Sequence, residues 1–205
     1  MIAIIDYGMG NLRSVQKGLE RAGCEAVVTR DAGQIQSAGG VVLPGVGAFS
    51  ACMENLGKFG LIEPIREVVQ RKKPFLGICL GFQLLFSESE EFGPQKGLDL
   101  FSGKVVGFHA GKDRKVPHMG WNRLEKKIDS PFLDGLCSGD YVYFVHSFYV
   151  VPNDNSIIAT ITDYGESFVS SIATDTLFAC QFHPEKSQDL GLRILANFAR
   201  FAANN

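Results

Sequence analysis

The sequence predicts a single α/β domain built on an open, mostly parallel mixed sheet flanked by helices. Three observations carry that expectation. In the first half, short apolar runs alternate with stretches of helical spacing, the pattern of βαβ units whose parallel sheet is covered on both faces. In the second half, runs rich in β-branched and aromatic residues follow closely on one another, so the sheet continues there in antiparallel or mixed form. No repeat, low-complexity block or linker interrupts the 205 residues, so residues 1–205 read as one domain, long enough to bury a substantial core.

Taken in order, residues 2–5 are an apolar first strand, and residues 12–22 have helical spacing with Gly23 as a stop. Residues 26–29 and 40–43 read as the second and third strands. Helical material runs from 50 to 72, broken near 57–60, and residues 75–78 form the fourth strand. Strands are then expected at 103–108, 121–124, 141–145, 149–151, 157–162, 168–172 and 178–181, with turn sequences at Pro152-Asn153-Asp154-Asn155 and Asp163-Tyr164-Gly165-Glu166. Residues 190–201 close the chain as an amphipathic helix.

The bulk composition excludes several classes. A net charge of −2 gives no electrostatic footprint for nucleic acid or an anionic membrane. No apolar run approaches the roughly 20 residues of a membrane span. The start, Met1-Ile2-Ala3-Ile4-Ile5-Asp6, has no basic leader or cleavage site and reads as a strand rather than a signal peptide. Cys24, Cys52, Cys79, Cys137 and Cys180 are odd in number and never in CxxC spacing, which argues against a disulfide framework or a zinc site and fits a reducing cytoplasm. Four of the five are expected as small buried hydrophobes. Gly8-Met9-Gly10 lacks the third glycine of a dinucleotide fingerprint, and no acidic residue follows the second strand in the right context. There is no P-loop and no cluster of metal ligands. No cofactor and no metal are indicated.

The most informative stretch is Gly77-Ile78-Cys79-Leu80-Gly81, between the apolar Pro74-Phe75-Leu76 and the amphipathic Phe82-Gln83-Leu84-Leu85-Phe86. Strand, glycine-flanked turn and helix is the layout of a nucleophile elbow, with cysteine where related hydrolases carry serine. A helix N-terminus there would favour the thiolate. By itself the motif also fits a buried cysteine at a strand end. A nucleophile needs a base, and the base needs an orienting group. Of His109, His118, His146 and His183, the last is placed best: it emerges at the end of the strand at 178–181, with Glu185 two residues on along an extended chain. His183-Pro184-Glu185 alone also fits a polar loop punctuated by proline.

Together, Gly77-Ile78-Cys79-Leu80-Gly81-Phe82-Gln83 and His183-Pro184-Glu185 resemble the class I, triad-type glutamine amidotransferases over essentially the whole chain. The resemblance implies their flavodoxin-like fold with a nucleophile elbow at Cys79. It implies that Cys79 attacks the side-chain amide of glutamine, His183 moves the proton and Glu185 orients His183. Ammonia leaves, and water hydrolyses the γ-glutamyl thioester to glutamate. The glycine-rich Leu43-Pro44-Gly45-Val46-Gly47-Ala48-Phe49 loop can offer an oxyanion-hole N–H from Val46 or Gly45, with the N–H of Leu80 as the second donor. It also fits an ordinary strand-to-helix loop. Its glycines would permit a peptide flip that switches the hole on or off, with a misoriented peptide within Pro44–Gly47 in the resting chain. Gln83, one helical turn after Cys79, matches a substrate-contacting glutamine. His146, Ser147, Phe148 and Tyr149 match the segment that binds the α-amino and carboxylate groups of glutamine, largely through backbone; the His146 side chain itself reads as structural.

Asp6-Tyr7-Gly8-Met9-Gly10-Asn11 and Val116-Pro117-His118-Met119-Gly120-Trp121-Asn122 are similar to the glutaminase subunits of imidazole glycerol phosphate synthases, and the Pro-Gly-Val-Gly-Ala-Phe loop agrees with them. That resemblance implies a heterodimer with a (β/α)₈-barrel synthase (cyclase) subunit. The partner would use the ammonia to convert a phosphoribulosyl-formimino carboxamide ribotide into imidazole glycerol phosphate and aminoimidazole carboxamide ribotide, in histidine biosynthesis. Asn11, Trp121, Tyr143 and Lys186 match partner-facing positions. From residues alone, Trp121 fits equally a core indole at a strand start. Lys112-Asp113-Arg114-Lys115 is either a rim charge cluster or a solvated loop. Another class I glutaminase, or a γ-glutamyl or peptide cysteine hydrolase, are the alternatives; a non-enzymatic regulatory role is disfavoured by the intact triad.

Overall fold

The computed structural model describes residues 1–109 and 115–205. The chain runs β1 (Ile2–Ile5), α1 (Leu12–Arg21), β2 (Ala26–Thr29), α2 (Ala32–Ser37), β3 (Gly40–Gly45), α3 (Phe49–Lys58), α4 (Ile62–Gln70), β4 (Phe75–Cys79) and α5 (Leu80–Gln83). It continues through β5 (Phe86–Ser89), β6 (Gln95–Lys96), β7 (Phe101–Gly107), β8 (His118–Arg123), β9 (Glu125–Lys126), β10 (Tyr141–His146) and β11 (Phe148–Pro152). β12 (Ile158–Asp163), β13 (Ser167–Ala173), β14 (Leu177–Cys180) and α6 (Gln188–Ala203) complete it. Among the described residues no helix is long and apolar enough to cross a membrane.

The main sheet has the order β2-β1-β3-β4-β14-β13-β11-β7-β5-β6, with β12 also on β13 and β9 on β12. The segment from β2 to β14 is parallel throughout. From β14 to β7 each pair is antiparallel. This is the expected mixed sheet. β1, β3, β4 and β14 are buried at every position, because helices cover both faces. Ile4, Leu76, Ile78 and Phe178 pack with Leu19 of α1 and Phe198 of α6, while Ile5, Leu43 and Phe75 face Leu56 of α3 and Ile65 of α4. Each such side chain contributes roughly 1.5–3 kcal/mol by leaving water.

The expected break between α3 and α4 falls at Gly60, whose φ of +66° lets Gly60 N–H and Leu61 N–H bond back to Gly57 and Leu56 carbonyls. α2, β5, β6 and β9 were not expected. α2 is a single short stretch capped by Asp31, whose carboxylate accepts from Gln34 N–H at 2.7 Å, and only Ile35 is buried, so no periodicity announces it. The segment 82–86 is not an amphipathic helix. α5 stops at Gln83, and Phe82, Leu84, Leu85 and Phe86 are all fully buried as the chain turns into β5.

All five cysteines are free. Cys52 and Cys180 are buried as expected, but Cys24 is half-exposed and Cys137 exposed, each lying beyond the end of a helix or short turn rather than on a core face.

β8 and β10 form a separate two-stranded antiparallel ribbon, with Trp121 opposite Tyr143 and His118 opposite His146. Alternation sends Val142, Phe144, His118 and His146 inward and Met119, Trp121 and Tyr141 outward. Of the 112–115 charge cluster, all but Lys115 lies outside the described residues.

The first turn of α5 lies directly on the end of β3. A Cβ on Gly81 would sit 1.9 Å from the Leu43 carbonyl oxygen, and one on Gly45 would sit 2.6 Å from Gly81 N. Gly81→Ala should therefore lose about 1–3 kcal/mol in urea unfolding, as β3 and α5 are forced apart. An unchanged midpoint would show that this contact is not tight.

Candidate active site

The site collects beyond the carboxyl ends of the parallel strands, where open α/β sheets hold their chemistry. Cys79 ends β4 with φ 55° and ψ −112°, a strained conformation for a residue with a Cβ. That turn throws the thiol out of the sheet. β14 pairs parallel with β4, Cys180 opposite Ile78, so the chain leaving β14 delivers His183 beside Cys79. His183 is then tied to β10: its N–H donates to the Tyr143 carbonyl at 2.9 Å, while Ser187 Oγ donates to the His183 carbonyl at 2.7 Å.

His183 Nδ1 lies 2.8 Å from Glu185 Oε1, and both side chains are almost wholly buried. A carboxylate accepts, so Nδ1 carries the hydrogen. Nε2 is buried without a hydrogen-bond partner, and His183 lines a cleft that Cys79 also lines. Burial opposes a charge on this imidazole, but the Cys79 sulfur and the Glu185 carboxylate together outweigh it and lift its pKa to about 10. The sulfur and the carboxylate on either side of His183 thus favour its imidazolium form. α5 is only four residues long, so it brings little of a helix macrodipole to the thiol.

A cleft of about 280 Å³ opens over this pair. Val46, Leu80, Gln83, His146, Ser147 and Phe148 line it, as does Lys186 at its edge. Gly45 sits behind, against the Leu80–Gly81 backbone, and Glu185 lies behind His183. Around the loop 44–47, the Pro44 carbonyl accepts from Tyr7 Oη at 2.8 Å and the Val46 carbonyl accepts from the Cys52 thiol at 3.7 Å. Gln83 Nε2 donates to the Phe148 carbonyl and to Gln181 Oε1, both at 2.9 Å. His146 turns its ring inward, with Nδ1 on the Phe148 carbonyl at 2.8 Å and Nε2 on His118 Nδ1 at 3.0 Å. Its structural role is therefore visible, although the residue also borders the cleft.

Of the expected partner-facing residues, Trp121 is 44% exposed, which removes the core-indole alternative. Its ring meets Tyr143 edge-on at 6.1 Å, and Lys186 Nζ lies 5.8 Å from the Tyr143 ring. Asn11 is exposed at the start of α1, and a Cβ on the preceding Gly10 would lie 3.5 Å from the Pro44 ring. Sequence reasoning gave no role to Glu91, which lines the cleft and accepts from Phe49 N–H at 2.6 Å, capping α3. Its run of neighbouring acids, Glu88 to Glu91, carries no specific signal. Gln181, also without an assigned role, donates from Nε2 to Cys79 Sγ at 3.7 Å. Among the described residues no group of His, Cys, Asp or Glu could hold a metal ion.

Fold and site define a glutamine amidotransferase: the model of the class-I glutamine amidotransferases matches residues 3–201, and the chain belongs to that family. It is 55% identical to the imidazole glycerol phosphate synthase subunit HisH of Syntrophotalea carbinolica, over 97% of this chain and 98% of that one. To the same-named protein of Aquifex aeolicus it is 54% identical, over 97% of this chain and 96% of that one. A solved glutamine amidotransferase superposes with a TM-score of 0.77 at 18% identity, covering 99% and 100% of the two chains. The glutaminase domain of Trypanosoma brucei CTPS does so with 0.69 at 16% identity, covering 100% and 94%. These two establish the fold.

The buried histidines generate a pH prediction. Burial lowers His118 to about 4 and His146 to about 3, from 6.5. The unfolded chain protonates first, so the stability they contribute is whole above about pH 6.5 and is lost as pH falls through 4 and 3. Urea midpoints measured from pH 7 to pH 4 should fall, and His118→Phe should flatten that slope. Equal slopes in both chains would contradict the assignment.

Proposed function

We propose that residues 1–205 act as one cytoplasmic glutaminase domain in which Cys79, His183 and Glu185 release ammonia from glutamine. The chain is the glutaminase subunit of an imidazole glycerol phosphate synthase. The observation that carries the residue assignment is the meeting in one cleft of a strained cysteine and an imidazole held by a buried carboxylate.

The Cys79 thiolate attacks the γ-carbonyl carbon of glutamine. The oxyanion that forms is met by the N–H of Leu80 and an N–H from Val46 or Gly45. The proton held at His183 Nε2 goes to the departing nitrogen, which leaves as ammonia, and a γ-glutamyl thioester remains on Cys79. His183 then takes a proton from water as that water attacks the thioester, and glutamate and the free thiolate result. Glu185 stabilises the imidazolium at each protonated stage. Ser147, Phe148 and the backbone at His146 hold the α-amino and carboxylate groups of the substrate, and Gln83 contacts it as well.

Ammonia set free into neutral water becomes ammonium, which is not a nucleophile, so it is handed to a docked acceptor. That acceptor is the (β/α)₈-barrel cyclase subunit, which makes imidazole glycerol phosphate and aminoimidazole carboxamide ribotide. It seats on Asn11, Trp121, Tyr143 and Lys186, where the outer face of the β8–β10 ribbon exposes Met119, Trp121 and Tyr141. In the resting chain a peptide within Pro44–Gly47 is turned away from the oxyanion position, and partner and acceptor together turn it in.

Glutamine hydrolysis by the purified chain should be weak alone and rise steeply with the cyclase partner and its ribotide acceptor. Cys79→Ala should abolish it without weakening the heterodimer, measured by size-exclusion chromatography. Glu185→Gln should lower turnover about 10²–10⁴-fold. Hydrolysis by Cys79→Ala would sink the nucleophile assignment. Full activity without partner or acceptor would sink the gate.

A further inference from the structure

Two buried chains of side-chain hydrogen bonds converge on the carbonyl of Phe148. On one side His146 Nδ1 lies 2.8 Å from it, and a carbonyl only accepts, so this nitrogen carries the hydrogen. Burial keeps both rings neutral, so His146 Nε2 is an acceptor and His118 Nδ1, 3.0 Å away, must donate to it. His118 Nε2 then accepts from Asn122 Nδ2 at 3.3 Å. The Asn122 amide is itself pinned, with Oδ1 accepting from Arg123 N–H at 2.8 Å and Nδ2 donating to the Asp163 carbonyl at 2.8 Å.

On the other side the same carbonyl accepts from Gln83 Nε2 at 2.9 Å. The second hydrogen of that nitrogen goes to Gln181 Oε1, also at 2.9 Å. Turning the Gln181 amide over would set one NH₂ group against another, so its orientation is forced. Gln181 Nε2 is left facing Cys79 Sγ at 3.7 Å, and an amide nitrogen can only donate. Gln181 is 0% exposed and Gln83 4%, so bulk water does not compete for these groups.

We propose that Gln181 is a further catalytic residue, its side-chain amide donating to the Cys79 thiolate, and that Gln83, His146 and His118 are positioning residues that fix this amide in the donating orientation. The inference rests on Cys79 being the nucleophile. It gives the thiolate a fixed donor that the four-residue α5 does not supply. It also joins the nucleophile by hydrogen bonds to Asn122, the neighbour of the exposed Trp121 on β8.

The test uses the full chain with its cyclase partner. Gln181→Met keeps the size and removes the donor; Gln181→Glu keeps the acceptor for Gln83 and turns the sulfur-facing atom into an acceptor. Both should lower kcat for glutamine about 10–100-fold with KM changed far less, the size expected for one hydrogen bond to a charged group. Both should also lose the ultraviolet thiolate absorbance at neutral pH that Cys79→Ala defines as the blank. A folded variant of either kind that keeps kcat and thiolate absorbance would overturn the proposal. Should both variants fail to fold, the side-chain amide resonances of Gln181 in the otherwise unaltered chain decide: Cys79→Ala should shift them, and no shift overturns the contact. Loss of activity in Cys79→Ala but not in the Gln181 variants would remove this inference alone. Retained activity in Cys79→Ala would remove the nucleophile reading beneath it.

Discussion

The rest of the site depends on a contact between two stretches of backbone, the end of β3 and the turn that follows Cys79. Gly45 and Gly81 meet there with no room for a side chain on either. Because they do, the loop 45–47 lies beside the turn that carries Cys79, and Val46 and Leu80 line the same cleft. The same closeness bends Cys79 into its strained conformation, at a cost of about 1–3 kcal/mol. Ile78, Leu80 and Phe82 surround the turn and are essentially buried, and each recovers an amount of similar size by leaving water. A strained cysteine is stable here because its immediate neighbours are core.

Electrostatics then divides three buried histidines. His183, His146 and His118 are all buried, and burial pushes each toward the neutral form. His183 faces a sulfur and a carboxylate, which reverse the sign and favour the cation. His146 and His118 face a carbonyl, an amide and each other, so nothing comparable offsets desolvation. One ring thus favours its charged form, and the other two stay neutral.

Much of this was legible in the chain. The elbow glycines, the βαβ alternation and His183 two residues before Glu185 specify local geometry strongly enough to be read without coordinates. What was not legible depended on pairing across long sequence distances. Gln181 is 102 residues from Cys79, and nothing in its neighbourhood says that its amide ends on the sulfur. The extent of α5 was misjudged because Phe82 to Phe86 carries a helical pattern, yet the segment is enclosed on all sides and follows tertiary packing into β5. Trp121 could be placed only once the ribbon's alternation put it outside, opposite Tyr143. α2 escaped notice because six residues with one buried side chain give no period to detect.

Covalent attack by Cys79 on glutamine, in a cleft shaped by these contacts, is the central claim. Its most direct test is acid-quenched mass spectrometry of the chain, bound to its cyclase partner and supplied with glutamine during turnover. The expected result is a mass increment of one γ-glutamyl group, mapped by digestion to the peptide containing Cys79 and released by hydroxylamine. A glutamyl adduct on any other residue would contradict the claim, as would steady turnover with no covalent adduct at all.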